Sequence, residues 1–93
     1  MRKLNVGIIG VGMAFERLHY PAFQQLSDRY KIVALCDTDR EKALKWAGLL
    51  QLTPIKDTYT DWQEMLTRDD LDVIDIMAPI ALNYKITAAV AQR

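Results

Sequence analysis

A short apolar run that ends at two closely spaced glycines most constrains what this chain can fold into. The run covers residues 4–9, is rich in β-branched residues, and is followed by Gly10 and Gly12. It predicts a buried strand, and the glycines predict a turn into a helix, with Gly10 permitting the tight bend. At Gly12 the missing Cβ would let the backbone approach a diphosphate. The first amides of the helix, at Met13 and Ala14, would face the same group.

This glycine pattern is incomplete as a dinucleotide fingerprint. The fingerprint has a third small residue, Gly or Ala, at the position that Phe15 occupies here. An ordinary glycine-containing turn between a strand and a helix, with no ligand, is therefore an open alternative. The rest of the chain has to distinguish the two.

Strands and helices alternate along the sequence. Further strands are predicted at Tyr30–Cys36, residues 54–56 (short and weak) and residues 73–77. Helices are predicted at residues 13–18 and 21–27, with a break at His19-Tyr20 before Pro21. Capping boxes that begin with Thr38 and Thr60 predict two more helices, the first of them starting at Asp39, and a last helix is predicted from about Leu82. The order β-α-β-α-β-α-β-α predicts an α/β fold of the Rossmann type, a doubly wound parallel sheet, incomplete, with strand order 3-2-1-4.

An acidic residue at the end of the second strand favours ligand binding. Asp37 directly follows Cys36, and a carboxylate there can accept hydrogen bonds from both hydroxyls of an adenosine ribose. It would repel a 2′-phosphate, so NAD is favoured over NADP, although Arg40 nearby keeps NADP possible. Alone, Asp37 could be only a loop residue before a helix cap. Together with the strand, the glycines and the helix, it predicts dinucleotide binding.

The composition argues against several other classes of function. Twelve basic and twelve acidic residues give a net charge of zero, which is not the electrostatic pattern of a nucleic-acid-binding protein. No apolar run approaches the roughly 20 residues of a membrane span. One cysteine and one histidine are too few for a metal cluster. We therefore expect a cytoplasmic protein without nucleic-acid, membrane or metal partners.

Three further side chains have interpretations of their own. His19 is interpreted as a helix-break residue whose ring could approach the cofactor pocket. Asp75, inside an apolar strand, is expected to have a hydrogen-bond partner because burying a lone carboxylate is costly. Cys36 is interpreted as a small buried hydrophobic residue, not as a reactive thiol.

Several short motifs follow one another along the whole chain: Gly10-Val11-Gly12, His19-Tyr20-Pro21, and the segments 33–37, 59–66 and 71–79. Their order and spacing resemble the Gfo/Idh/MocA (glucose–fructose oxidoreductase/inositol dehydrogenase) oxidoreductases. The resemblance implies that residues 1–93 are the N-terminal dinucleotide-binding domain, truncated, of an NAD(P)-dependent enzyme. Such an enzyme moves a hydride between the nicotinamide and a hydroxyl-bearing carbon of a small-molecule substrate, a sugar or cyclitol.

The resemblance also implies further cofactor-binding residues. Ala78, Pro79 and Ile80 would form the loop beneath the cofactor. Asn83 takes the position where many relatives have a histidine near the nicotinamide ribose. An asparagine can donate and accept hydrogen bonds at that position but cannot titrate there.

The family pattern extends beyond this chain. Relatives continue into a fifth strand, a Glu-Lys-Pro motif whose lysine serves in catalysis, and a substrate domain. We therefore assign no catalytic residue and expect residues 1–93 alone to lack dehydrogenase activity. Without a fifth strand the fourth would be an open edge, which favours a homo-oligomer. Two alternatives stay open: a non-catalytic nucleotide-binding or redox-sensing module, and a reductase of a non-sugar substrate such as a linear tetrapyrrole.

Overall fold

The structure, a computed structural model, describes residues 2–78 and 80–92. Its strands are β1 (Leu4–Ile9), β2 (Tyr30–Cys36), β3 (Thr58–Tyr59) and β4 (Val73–Ile76). Its α-helices are α1 (Tyr20–Gln25), α2 (Arg40–Leu49), α3 (Trp62–Met65) and α4 (Ile80–Ala91), and a π-helical segment, Phe15–His19, directly precedes α1. The strands form one parallel sheet in the order β3-β2-β1-β4. This confirms the predicted α/β Rossmann architecture and strand order.

Both faces of the sheet are covered, which explains why β1 and β2 are almost continuously apolar. On one face, β1 and β2 pack against the π-helical segment and α2, through a buried cluster of Val6, Ile8, Val11, Phe15, Leu35, Ala43, Trp46 and Ala47. On the other face, α3 and α4 contribute to a second cluster of Ile9, Ala34, Cys36, Met65 and Ile86. The carboxyl ends of the strands lie between these two helical layers.

Phe15, at the third position of the glycine pattern, is a core residue. Its side chain is fully buried, and its ring centroid lies 5.0 Å from that of Trp46 in an edge-to-face arrangement and 6.0 Å from that of Tyr20. A glycine or alanine there would allow closer packing of helix and strand. Phe15 instead fills the space between α1 and α2.

The predicted break near His19-Tyr20 is wrong. His19 and Tyr20 both have helical backbone angles, and the chain continues from the π-helical segment into α1. Within that segment the Tyr20 N–H donates to Phe15 O, which is the wide hydrogen-bond pattern of a π turn. Pro21 lacks an N–H and would collide with the preceding turn of a regular helix. The wider turn before Pro21 accommodates its ring without interrupting the helix.

The third strand was predicted four residues too early. Residues 54–57 form turns, and Ile55 is 92% exposed. Thr53 and Asp57 close this turn, because Asp57 N–H donates to Thr53 O at 2.9 Å and Thr53 N–H donates to Asp57 Oδ2 at 3.1 Å. Strand pairing begins only at β3, opposite Leu35 and Cys36.

Aspartates, not threonines, cap α2 and α3. Asp39 accepts from the backbone N–H groups of Glu41 and Lys42, and Asp61 accepts from that of Gln63. Both helices therefore begin one residue after an aspartate, because a carboxylate is a strong acceptor for the free amides of a first turn. The other bounds also differ slightly: β4 ends at Ile76, and α4 begins at Ile80, before the predicted Leu82.

The Arg68 side chain joins loops at the edge of the sheet opposite the glycine turn. It donates to Asp57 Oδ1 at 3.0 Å, just before β3, and to Asp70 Oδ2 at 2.7 Å, just before β4. Burial raises the pKa of Asp57, but hydrogen bonds from Thr53 and Arg68 bring it below its usual value overall. The hydrogen bond from Arg68 likewise lowers the pKa of Asp70. Both carboxylates are thus stabilised in their charged form.

We expect Arg68→Met to lower the free energy of unfolding at neutral pH by about 1–3 kcal/mol, because Asp57 and Asp70 lose a charged donor. The pKa values of Asp57 and Asp70 are lower in the folded protein than in the unfolded chain, where an aspartate has a pKa near 3.9. Their ionised forms therefore stabilise the fold above that pH, and this stabilisation is lost as the pH falls through the folded-state pKa values. Urea unfolding from neutral to acidic pH should therefore show a shallower loss of stability for Arg68→Met than for the wild type. Arg17→Met, at an exposed arginine, is the control. Equal acid sensitivity of wild type and Arg68→Met would contradict this assignment.

Candidate dinucleotide-binding site

Gly10 is required by the fold itself. Its φ of 96° lies in the left-handed region, and a Cβ there would lie 2.1 Å from the backbone oxygen of Met77. The turn is fixed between two neighbouring strands, because Gly10 N–H donates to Cys36 O at 2.8 Å and Met77 N–H donates to Ile9 O at 2.7 Å. Gly10 therefore allows the chain to leave β1 while passing directly against the end of β4.

Gly12 differs from Gly10, because nothing within the described protein requires a glycine there. Its φ lies outside the left-handed region, and a Cβ would meet no atom within 4 Å. The first helical hydrogen bond runs from Glu16 N–H to Gly12 O at 3.1 Å, so the amides of Gly12, Met13 and Ala14 come before the first intrahelical donor. A diphosphate that approaches these amides closely would use the space that a Cβ at Gly12 would fill.

Asp37 connects the end of β2 to the glycine turn. Its Oδ2 accepts from Val11 N–H at 3.0 Å, and its Oδ1 accepts from Asp39 N–H at 2.8 Å. Its own N–H donates to Tyr59 O at 3.1 Å, which fixes its backbone against β3. The half-buried carboxylate is thereby held beside the turn.

A cleft of about 240 Å³ lies at this edge of the sheet. Three of the residues predicted from the sequence line it together, Gly10, Gly12 and Asp37, as does Ala78 from the predicted cofactor loop. The remaining lining residues are Ile9, Cys36, Thr38, Thr60, Trp62, Met77 and Leu82. The cleft is thus lined by the glycine turn, the Asp37 carboxylate, two threonines and several apolar side chains.

Other predicted site residues lie apart from this cleft. The side chains of Met13 and Ala14 are exposed and do not line the cleft. Asn83 lines a separate depression that also includes Ala78, and its Oδ1 accepts from Thr87 Oγ1 at 3.0 Å. Ile80 is the first residue of α4, and Pro79 lies outside the described residues.

Sequence reasoning missed Thr38, Thr60 and Met77 as lining residues. Each follows a strand directly or within two residues, and the carboxyl ends of parallel strands meet at one edge of a sheet. That rule identified Asp37 and would also have indicated Thr38 and Met77. It could not indicate Thr60 because the third strand had been predicted at residues 54–56.

Cys36 lines the cleft, but its thiol is unreactive. It is 2% exposed, and burial, together with the charges of Asp37 and Asp61, raises the pKa of its thiol to about 12. A thiol with this pKa stays protonated at neutral pH and is a poor nucleophile. This agrees with its interpretation as a small buried hydrophobic residue.

His19 and Asp75 form a pair outside the glycine cleft. A hydrogen bond of 2.6 Å joins His19 Nδ1 and Asp75 Oδ2, which confirms the expectation that Asp75 has a partner. Both line a second cleft, of about 470 Å³, between α1 and β4. The structure therefore places the His19 ring against Asp75, and not in the predicted cofactor pocket.

Residues 2–78 and 80–92, which the structure describes, lack two kinds of feature. They contain no group of three or more His, Cys, Asp or Glu residues that could hold a metal ion. None of their helices is long and apolar enough to cross a membrane.

The strand order and the open turn after β1 define a Rossmann-type α/β domain. Residues 4–93 match the family model of the Gfo/Idh/MocA proteins, described as an oxidoreductase family with an NAD-binding Rossmann fold. The chain belongs to this oxidoreductase family, as its motifs indicated.

Individual relatives agree with this assignment. The chain is 34% identical over 92 residues to D-apiose dehydrogenase from Paraburkholderia graminis, covering 99% of this chain and 23% of that protein. It is 33% identical over 86 residues to an uncharacterized protein of Saccharomyces cerevisiae, covering 92% of this chain and 24% of that protein. The WlbA dehydrogenase from Bordetella pertussis, solved in complex with NADH and UDP-GlcNAcA, matches with a TM-score of 0.84 at 25% identity, covering 98% of this chain and 26% of that one. The chain thus spans about a quarter of the length of these relatives.

Proposed function

We propose that this chain binds NAD at the cleft beside the glycine turn. The observation that carries the proposal is Gly12, a glycine that the described protein does not need and that faces open space next to Asp37. The backbone amides of Gly12, Met13 and Ala14 would bind the diphosphate. Asp37 would accept hydrogen bonds from the adenosine ribose.

The nicotinamide side of the site is proposed from family membership. Ala78, Pro79 and Ile80 would pass beneath the cofactor, and Asn83 would lie near the nicotinamide ribose. Ala78 lines both the glycine cleft and the depression that contains Asn83, which supports a continuous binding surface. The amide of Asn83 can donate and accept hydrogen bonds but does not titrate, so we propose a binding role for it.

We further propose that residues 1–93 are the cofactor-binding domain of a larger cytoplasmic, homo-oligomeric oxidoreductase. NAD would supply the hydride chemistry, and this domain would bind and orient it. A sugar-like substrate with a hydroxyl-bearing carbon is supported by the similarity to D-apiose dehydrogenase and to WlbA, which was solved with a UDP-sugar. Substrate binding and catalytic residues would lie in the part of such an enzyme that this chain does not match.

The chain is expected to bind NAD more tightly than NADP. A ribose hydroxyl can hydrogen-bond to Asp37, whereas a 2′-phosphate would be repelled, a difference of about 1–3 kcal/mol or roughly 5- to 150-fold in affinity. Calorimetric titration of the chain with each cofactor measures the ratio. Asp37→Ala should reduce it, and Asp39→Ala, which removes the neighbouring carboxylate that caps α2, should preserve it. Equal affinities, or tighter binding of NADP to the wild type, would refute the proposed role of Asp37.

A further inference from the structure

The Asp37 carboxylate is hydrogen-bonded to the glycine turn by the protein's own backbone. Its bond to Val11 N–H joins residues 26 positions apart in the sequence. Val11 lies between Gly10 and Gly12, and its side chain is 2% exposed. A contact to the middle of this turn is therefore well placed to fix its conformation.

Other contacts do not replace this one. The hydrogen bond from Gly10 N–H to Cys36 O fixes the start of the turn, and the hydrogen bond from Glu16 N–H to Gly12 O fixes its end. Between them, Val11 N–H donates to Asp37. Without that acceptor, the Val11 amide, which lies between two glycines, would lose its hydrogen-bond partner.

Contact with the turn does not prevent contact with a ribose. An ionised carboxylate has about four acceptor positions on its two oxygens. Val11 N–H uses one position on Oδ2, and Asp39 N–H uses one on Oδ1. One position on each oxygen remains for a ligand hydroxyl, so a single side chain can serve both purposes at once.

We infer that Asp37 is a positioning residue for the diphosphate-binding turn, in addition to the ribose contact proposed above. It holds the backbone at Val11 in the ligand-free protein, so that the Gly12, Met13 and Ala14 amides are arranged before the cofactor arrives. The structural part of this inference rests on contacts within the protein alone. Only its consequence for affinity rests on the proposed function.

Amide hydrogen exchange of the ligand-free chain tests this inference. Asp37→Ala should speed exchange at Val11 by about tenfold or more, the equivalent of losing one charge-assisted hydrogen bond. Asp37→Asn should recover part of the protection because its side-chain oxygen can still accept. Asp39→Ala is the matched control: it removes an adjacent carboxylate that caps α2 and should leave Val11 exchange close to wild type.

A second amide separates local positioning from general loss of stability. Leu35 N–H, in the middle of the sheet, donates to Asp57 O at 3.0 Å. In Asp37→Ala, exchange at Val11 should rise well above any rise at Leu35. Equal rises at both amides, or no rise at Val11, would overturn the inference.

Titration of the same variants with NAD distinguishes this inference from the proposed function. Faster exchange at Val11 in Asp37→Ala, together with a wild-type chain that does not bind NAD, would support the positioning role and refute the proposed function. Weaker NAD binding by Asp37→Ala with unchanged exchange at Val11 would support the ribose contact and refute the positioning role.

Discussion

Gly10→Ala is expected to lower the free energy of unfolding by about 3–5 kcal/mol, a large fraction of the roughly 5–15 kcal/mol that stabilises a natural domain. Two costs add. An alanine at the φ of 96° observed for Gly10 is strained, and its Cβ would lie 2.1 Å from the backbone oxygen of Met77. That contact can be relieved only by moving the end of β4 away from β1, the strand with which β4 is paired. Urea unfolding followed by circular dichroism measures the effect.

Gly48→Ala is the matched control for this substitution. Gly48 lies in α2, and a Cβ there would meet no atom within 4 Å. Because alanine favours a helix over glycine, this change should raise stability by about 0.5–1 kcal/mol. If Gly10→Ala unfolded at the same urea concentration as the wild type, the positive φ and the close contact with β4 would both be wrong.

Gly12→Ala is expected to weaken NAD binding about ten- to a hundredfold while leaving the chain as stable as before or slightly more so. Its Cβ would meet no protein atom within 4 Å, and restricting the unfolded chain favours folding by about 0.4–1 kcal/mol. The same Cβ would occupy the position that a diphosphate needs for close approach, at a cost of about 1–3 kcal/mol in binding. Calorimetric titration with NAD and urea unfolding together measure the two effects.

Gly48→Ala again supplies the comparison, since it introduces the same methyl group in a part of α2 away from the cleft. It should bind NAD like the wild type. A Gly12→Ala chain that retained wild-type affinity would show that the diphosphate does not approach Gly12. A Gly12→Ala chain that failed to fold would show that the described protein does require a glycine there.

The different surroundings of Gly10 and Gly12 show which features of this motif could be predicted from the sequence alone. Spacing in the sequence predicted both as turn residues, but only the three-dimensional contact between Gly10 and Met77 O makes one of them structural. Gly12 has no such contact. The sequence carries no signal for this difference, because Met77 is distant along the chain and comes close only when β4 pairs with β1.

The elements that sequence reasoning located best are those with strong local patterns. Both long central strands were predicted with their observed bounds because each is largely apolar and lies in a sheet that is covered on both faces. The two-residue β3 was misplaced because its pairing is determined by β2 and by the Thr53–Asp57 turn, not by its own composition. The helical continuation through Pro21 was missed because a π turn has no recognised sequence pattern.

The candidate site was predictable to the extent that it follows from topology. The glycine turn and Asp37 meet because the ends of neighbouring parallel strands lie at one edge of the sheet. The hydrogen bond from Val11 N–H to Asp37 could not be predicted, because it depends on side-chain orientation. Neither could the pairing of His19 with Asp75, which depends on where α1 crosses β4.

Mapping of backbone amide shifts during an NAD titration tests directly whether NAD binds at the cleft beside the glycine turn. The ¹⁵N-labelled chain is titrated with NAD, and the change at each amide is followed to saturation. We expect saturable shifts concentrated at residues 11–14 and 37–38, strongly weakened by Gly12→Ala and unaffected by Gly48→Ala. Absence of saturable shifts, or saturable shifts confined to the cleft of His19 and Asp75, would contradict this expectation.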